Sequence, residues 1–475
     1  MTTIDRRRFL RSSAMLTGGA VLAPSLGGLV ACSEPTGLAK PGIPRLSLAR
    51  QGHGGYGELS PSTDCPELMI PAGFTCRALS RTHTPSQADT SFSVPQALDG
   101  MAAFALPNGY VRLIRNHEMR DSAATSVPLG DPARSYDTRA GGGTTSLEVE
   151  PGGDRRVRAE FVSLSGTQVN CAGGPTPWGS WVTSEETTEG EAQGRTRDHG
   201  YNFEVAVAAT DEVDPVPLRA MGRFVHEAVA VDPSTGLVFE TEDFSFDPSR
   251  GRPGSGFYRF IPAVHGQLAL GGRLQMLAIK GKPNYNTIAG QRPGKPLPVE
   301  WVDIDDPDPA AAETDPSAVF RQGLAKGGAI FQRLEGCWYG DGSIFFNATS
   351  GGDAGLGQVW QYRPRGNSGG QLILVFESAS PEVLESPDNI CVSPRGGLLL
   401  CEDGDGAQYL RGLTLRGEIF DFVRSTSDDA PEFAGSCFSP DGETLFFNVQ
   451  GSTRRLGTTP GATYALWGSW EDGAL

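Results

Sequence analysis

Six times along this chain an apolar run meets a turn rich in Pro, Asp and Gly, and a second apolar run then ends in a carboxylate or an amide. The first unit opens at Asp99-Gly100, turns at Pro107-Asn108-Gly109 and closes at Asn116-His117-Glu118. The second opens at Cys171, turns near Pro177-Trp178-Gly179 and closes at Glu185-Glu186. The third runs from His226-Glu227 through Asp232 to Gly236 and ends at Glu242-Asp243. The fourth runs from Glu335 through Gly340-Asp341-Gly342 to Asn347, and the fifth from Asp388-Asn389 to Glu402-Asp403. The sixth runs from Glu432 through Ser439 to Gly442 and ends at Asn448. Apolar runs of this length bounded by such turns read as β-hairpins.

A hairpin returns the chain to its starting end, so the opening and closing polar groups of each unit are expected on one rim. An acidic residue opens five of the units and Cys171 the other. Strand ends often carry Asp or Asn for turn chemistry alone, but Glu is a poor turn residue and recurs here. Small antiparallel sheets repeated radially make a β-propeller around a central channel. The expected fold is therefore all-β, a six-bladed propeller with a metal site at one mouth of the channel. A chain of 475 residues with 63 Gly and 35 Pro fits short strands and tight turns better than a helical bundle. Only Asp315–Leu324 and Glu377–Leu384 carry a weak helical pattern.

The amino terminus reads as an export signal. Asp5-Arg6-Arg7-Arg8-Phe9-Leu10-Arg11 precedes a mildly apolar run from Ala14 to Val30, the pattern of a twin-arginine signal peptide over residues 1–31. The run Leu29-Val30-Ala31-Cys32 also fits a lipoprotein cleavage box, which offers Cys32 for lipidation, beside ordinary cleavage in the same place. Residues 32–60, rich in Gly, Pro and Ser, read as a linker or loosely packed arm, and 61–475 as the propeller. Nothing later is long and apolar enough to cross a bilayer. A periplasmic or extracellular protein, exported by the twin-arginine translocase and monomeric, is expected.

The net charge is −16, and since residues 1–31 contribute +3 the remainder carries −19. Such a surface repels nucleic acid, and repels anionic substrates too unless bound cations reverse the local field. Beyond Cys32 seven cysteines remain. Cys65 with Cys76, and Cys391 with Cys401, are candidate disulfide pairs, and Cys171 is the thiol expected to be employed otherwise.

Crowded carboxylates repel one another unless cations sit among them. Oxygen-rich clusters suit Ca²⁺, and an added thiolate admits a transition metal such as iron. A centre of that kind suits phosphoryl or acyl hydrolysis. At Asn116-His117-Glu118 and His226-Glu227, neighbouring strand residues face opposite ways. The carboxylates Glu118 and Glu227 are therefore preferred as ligands, and His117 and His226 as packing or supporting groups. The tryptophans Trp178, Trp338, Trp360, Trp467 and Trp470 read as propeller core.

Several of these stretches together resemble the PhoX-type alkaline phosphatases of bacteria. They are the twin-arginine signal, Asn116-His117-Glu118, Asn170-Cys171-Ala172-Gly173-Gly174-Pro175-Thr176-Pro177-Trp178-Gly179, Arg223-Phe224-Val225-His226-Glu227, Arg333-Leu334-Glu335-Gly336, Gly351-Gly352-Asp353, Ser386-Pro387-Asp388-Asn389 and Glu432-Phe433-Ala434-Gly435. The resemblance implies a propeller whose mouth holds iron (Fe³⁺) and calcium (Ca²⁺) and hydrolyses small phosphate monoesters outside the cytoplasm. It casts Cys171 as the iron thiolate ligand, Glu186, Glu227, Glu335 and Asp388 as shared metal ligands, and Arg333 as the phosphate clamp. Leu334 departs from the family pattern, which usually has Pro there, leaving the backbone beside Arg333 freer. Other readings of the same ring are a calcium-dependent lactonase-like propeller, or a non-catalytic, metal-stabilised binding propeller of the cell envelope.

Overall fold

The structure, a computed structural model, describes residues 54–366 and 368–475. The expected signal peptide, Cys32 and residues 33–53 of the expected arm lie outside the described residues. Among the described residues the chain is all-β, with one α-helix, Ala318–Ala325, which overlaps the expected Asp315–Leu324 and runs one residue past it. Glu377–Leu384 forms no helix; Pro381 lacks the N–H that a helix interior would need.

All six sequence units are antiparallel hairpins. Their strand pairs are Leu98–Ala105 with Val111–His117, Asn170–Pro175 with Ser180–Glu185, and His226–Val231 with Val238–Glu242. They continue with Leu334–Gly340 and Ser343–Ala348, Pro387–Val392 and Leu398–Glu402, and Phe433–Phe438 and Leu445–Val449. The first strand of each hairpin packs against the first strand of the next, and that of the sixth packs against the first, so the arrangement is propeller-like. The last sheet takes its outermost strand, Thr75–Arg81, from the other end of the chain, where it pairs with Ala462–Trp467. This pairing ties the two ends of the described chain together. The strand Leu297–Asp303 joins two neighbouring sheets into one of nine strands.

The end of the expected arm is part of this packed unit. Leu59–Pro61 pairs with Leu68–Pro71, and the buried Tyr56 hydroxyl donates to Leu475 O at 2.9 Å. An aromatic ring and a carbonyl at the chain end hold residues that composition alone reads as loose.

Apolar side chains fill the wedges between neighbouring sheets. Phe257 of one sheet stacks on Phe346 of the next with ring centroids 4.2 Å apart, and each fully buried side chain of this size contributes about 1.5–3 kcal/mol. Trp360 and Trp470 belong to this core, as does Trp181, whereas Trp178, Trp338 and Trp467 are only half-buried. Trp338 packs against four of the six apolar clusters and lies at the channel. There the channel narrows to a cavity of about 20 Å³, room for roughly one water.

The seven described cysteines are all buried and free, although the Cys65 and Cys76 thiols of one expected pair lie in side-chain contact. Cys391 sits opposite Leu399 in the ladder, which places Cys401 two residues along rather than across. The odd count therefore does not single out Cys171; its position does.

Candidate metal centre

The same irregularity opens every hairpin. In each, three steps along the first strand match two along the second, a β-bulge placed at the start of the first strand. Its first extra residue is Asp99, Cys171, Glu227, Glu335 and Asp388 in the first five hairpins, and Gly435 in the sixth. A bulge re-aims a side chain out of the sheet's alternation, here toward the ring's axis. Two residues before four of these feet the backbone is left-handed: Ala97 (φ 57°), Val169 (φ 50°), Arg333 (φ 49°) and Ser386 (φ 48°). That conformation is costly for non-glycine residues and is concentrated at functional sites.

The second set of feet comes from the first residue past each second strand: Glu118, Glu186, Asp243 and Asp403 in the first, second, third and fifth hairpins. In the first and fourth hairpins glycine at the next bulge position lets the inner strands approach closely. A Cβ on Gly336 would lie 2.7 Å from Asp388 O, and one on Gly100 2.6 Å from Ala172 Cα.

Apart from Asp243, the acidic and thiol feet meet with Glu432 in four overlapping groups, each with its ligand atoms within 4.8 Å of one another. They are Asp99–Glu118–Cys171, Cys171–Glu186–Glu227, Glu227–Glu335–Asp388 and Asp388–Asp403–Glu432. The sequence-derived residues Cys171, Glu186, Glu227, Glu335, Asp388 and Glu118 therefore converge. Asp99, Asp403 and Glu432 join them; the hairpin pattern had put these three on the same rim but not among the chosen ligands. Glu432 enters from the residue before its strand, because the bulge position is glycine.

The Cys171 thiol donates to Glu227 Oε1 at 2.9 Å and lies 3.7 Å from Asp99 Oδ2. Burial first, and then Glu118 and Asp388, push the Asp99 carboxyl well above its ordinary range. Burial and the neighbours Glu335 and Glu186 do the same to Glu227, and burial with Asp99 and Glu227 to the Cys171 thiol. Two like charges ~4 Å apart repel by about 4 kcal/mol at an effective dielectric of ~20, so the ionised groups need cations among them. Asp99 Oδ1 and Glu227 Oε2 are buried with no hydrogen-bond donor, as oxygens suited to a cation would be. The donor set, carboxylates with one sulfur, fits hard ions and one softer transition ion.

Two arginines flank the cluster. Arg333 forks onto Asp243, Nε to Oδ1 at 2.9 Å and Nη2 to Oδ2 at 2.8 Å, and donates to Glu335 Oε1 at 2.7 Å. The fork holds Arg333 in place despite Leu334 at the freer backbone position. Arg120 bridges Glu118 and Glu186. Neither Asp243 nor Arg120 was visible as a partner in the sequence.

Other candidates prove to be supports. Glu185, beside Glu186, turns away and accepts from Gln168 N, Gly200 N and His199. His117 lies against Gln96 O and Thr145, and His226 against Gly222 O and the ring of Phe224. Burial pushes both imidazoles down to about 3, which keeps them neutral. The closing amides also differ from the rim reading. Asn116 donates to Cys171 O at 3.1 Å, Asn347 to Asp388 O at 2.8 Å and Asn448 to Asp99 O at 2.6 Å, each bracing the bulge of the next hairpin.

The family model for alkaline phosphatase PhoX matches residues 54–452. Among solved structures, that of Pseudomonas fluorescens PhoX in complex with vanadate, a transition state analogue, is similar with a TM-score of 0.63 and 16% identity, covering 91% of this chain and 99% of that one. A Xanthomonas campestris gluconolactonase matches with a TM-score of 0.40 and 12% identity over 87% of this chain and 97% of its own. A Dyadobacter fermentans protein of unknown function matches at 0.42 and 8%, over 83% and 99%. No curated protein matches the chain.

Proposed function

The chain belongs to the alkaline phosphatase PhoX family and is on that ground a phosphatase, and from this premise we propose that it hydrolyses small phosphate monoesters at the acidic mouth of a six-bladed propeller. The ring of six inner strands supports the blade count. The observation that carries the site is the unbroken run of ligand groups from Glu118 to Glu432, with Cys171 as its only sulfur. In this reading Cys171 holds iron, and Glu186, Glu227, Glu335 and Asp388 hold iron and calcium between them. Glu118 and Asp99 extend the oxygen set.

Iron and calcium, once bound, supply Lewis acidity and reverse a field that would repel a phosphate ester. The chain's own residues then bind and orient. The Arg333 guanidinium, held by the fork to Asp243, presents donors to the non-bridging oxygens of the ester. The cavity of about 20 Å³ next to the feet is too narrow for an ester, so in this reading substrate approaches from the rim that carries the feet. Export through the twin-arginine translocase and action outside the cytoplasm as a monomer complete the proposal.

The test is elemental analysis and aryl phosphate hydrolysis on one sample of exported protein. Iron and calcium with turnover support the reading; turnover that survives complete metal removal defeats the metal assignment.

A further inference from the structure

The chain has five lysines, at positions 40, 280, 282, 295 and 326, and three of them fall with Arg292 in the segment 280–296, which contains no Asp or Glu. In a molecule of net charge −16 this is an isolated island of four positive charges. A basic run is ordinarily just a solvated face. Three observations set this one apart.

The first is its place. The strand His226–Val231 leaves the acidic mouth, Val238–Glu242 returns to it, Phe257–Pro262 leaves again and Gly272–Ile279 returns, because each pair is antiparallel. Segment 280–296 therefore emerges on the rim that carries the ligand cluster. It is tied to the loop beside Arg333, since Gly352 N donates to Ile288 O at 2.7 Å and Thr349 N to Arg333 O at 2.9 Å.

The second is a cavity of about 70 Å³ lined by Arg292 and Lys295 together with Tyr285, Leu297, Trp360 and Leu374. That exceeds the ~10–15 Å³ that one water needs and accommodates a compact oxyanion.

The third is that the backbone carrying these two cations is fixed. Arg292-Pro293-Gly294-Lys295 is a β-turn with Pro second and Gly third, Gly294 at φ 75°, closed by Lys295 N to Arg292 O at 3.2 Å. Gly294 N donates to Leu374 O at 2.8 Å, which pins the turn to the sheet. Among the described residues no carboxylate pairs with Arg292 or Lys295. Asp353, which does touch the segment, accepts from Gly290 N.

We propose that this cavity is a second anion site, which takes a phosphate or carboxylate group of the substrate remote from the ester being cleaved. The inference rests on the phosphatase reading and narrows its substrates to esters carrying a second negative group. Two cations on a fixed turn over an aromatic wall suit a small oxyanion attached to an organic body.

The test compares the metal-loaded wild type with the double variant Arg292→Gln/Lys295→Gln on three substrates: an aryl phosphate, a sugar bisphosphate and a phosphorylated carboxylic acid. The ratio of kcat/KM for a two-anion substrate over that for the aryl phosphate is expected to fall about tenfold in the variant, mainly through KM. The substrate showing the larger fall identifies the remote group as phosphate or carboxylate. An unchanged ratio for both two-anion substrates overturns the proposal, since the charges would then act only as a general field. Should the wild type cleave none of the three, the phosphatase reading fails by itself. Calorimetric titration with inorganic phosphate then decides the site: one binding event fewer in the variant supports it, and identical isotherms overturn it.

Discussion

Asn448 donates its side-chain amide to the main-chain carbonyl oxygen of Asp99 at 2.6 Å, a bond between residues 349 positions apart that sits where the sixth hairpin meets the first. Both groups are buried. The bond joins the ends of the ring and fixes the bulge from which Asp99 reaches the ligand cluster. Removing a buried partner of this kind leaves a carbonyl unsatisfied at a cost of about 1–3 kcal/mol. Asn448→Ala should therefore lower unfolding stability by that amount in urea titrations. Asn116→Ala, which frees the Cys171 and Ala172 carbonyls, should match it. Stability unchanged in both would show that the amides do not brace the ring.

Cys171 is the one sulfur among the ligand groups, 2.9 Å from Glu227. Cys171→Ala should abolish iron binding and lower kcat by more than the ~10–100-fold that an outer-shell change costs, with the circular dichroism spectrum unchanged. Glu335→Ala should do the same while also loosening Arg333, so that KM rises as well. Wild-type iron content in the Cys171 variant would remove the thiolate from the centre.

How much of this was legible follows from what a hairpin pattern encodes. The opening feet Glu227, Glu335 and Asp388 could be read because each precedes an apolar run whose turn and return are plain in sequence. The bulge that aims them could not. It is a mismatch of register, and register exists only between two strands. The doublets Glu185-Glu186, Glu242-Asp243 and Glu402-Asp403 hid their division of labour for the same reason. The first member ends a strand and bonds within its own neighbourhood: Glu242 takes Gly256 N and Tyr258, and Glu402 takes Arg411. The second lies past the strand end and turns inward. Asn116 and Asn448 looked like rim groups because amides close strands everywhere. Their true partners lie on the next hairpin, which no local pattern reveals.

Chelation should separate cation-held stability from the apolar core. A ligand that binds only the folded state adds RT ln(1 + [L]/Kd), about 2.7 kcal/mol at a hundredfold excess over Kd. The feet repel one another without such a ligand, so a calcium chelator should lower Tm by several degrees, and added Ca²⁺ should restore it. In Glu227→Gln, which removes a charge shared by two of the four groups, both shifts should shrink. Equal shifts in wild type and variant would place the stabilising cation elsewhere.

The supports of the cluster should also set an alkaline limit. His199 is fully buried, with Nδ1 2.7 Å from Glu185 Oε1 and Nε2 3.3 Å from Asp137 Oδ2. Burial alone would depress its pKa, but the two carboxylates outweigh it and push the imidazole up to about 9 from the ordinary 6.5. A folded pKa above the unfolded one means the charged histidine stabilises the fold fully below pH ~6.5, and that this stabilisation is lost as pH rises through ~9. Glu242, pushed up by burial to about 8, gives a loss of the same sign between pH ~4.5 and ~8, so the slope of the wild type alone does not isolate His199. The difference between wild type and His199→Gln does. The destabilisation caused by the substitution, measured by urea unfolding, should be largest at pH 6 and shrink steadily toward pH 9.5. A penalty independent of pH across that window would mean that His199 supports Glu185 as a neutral ring.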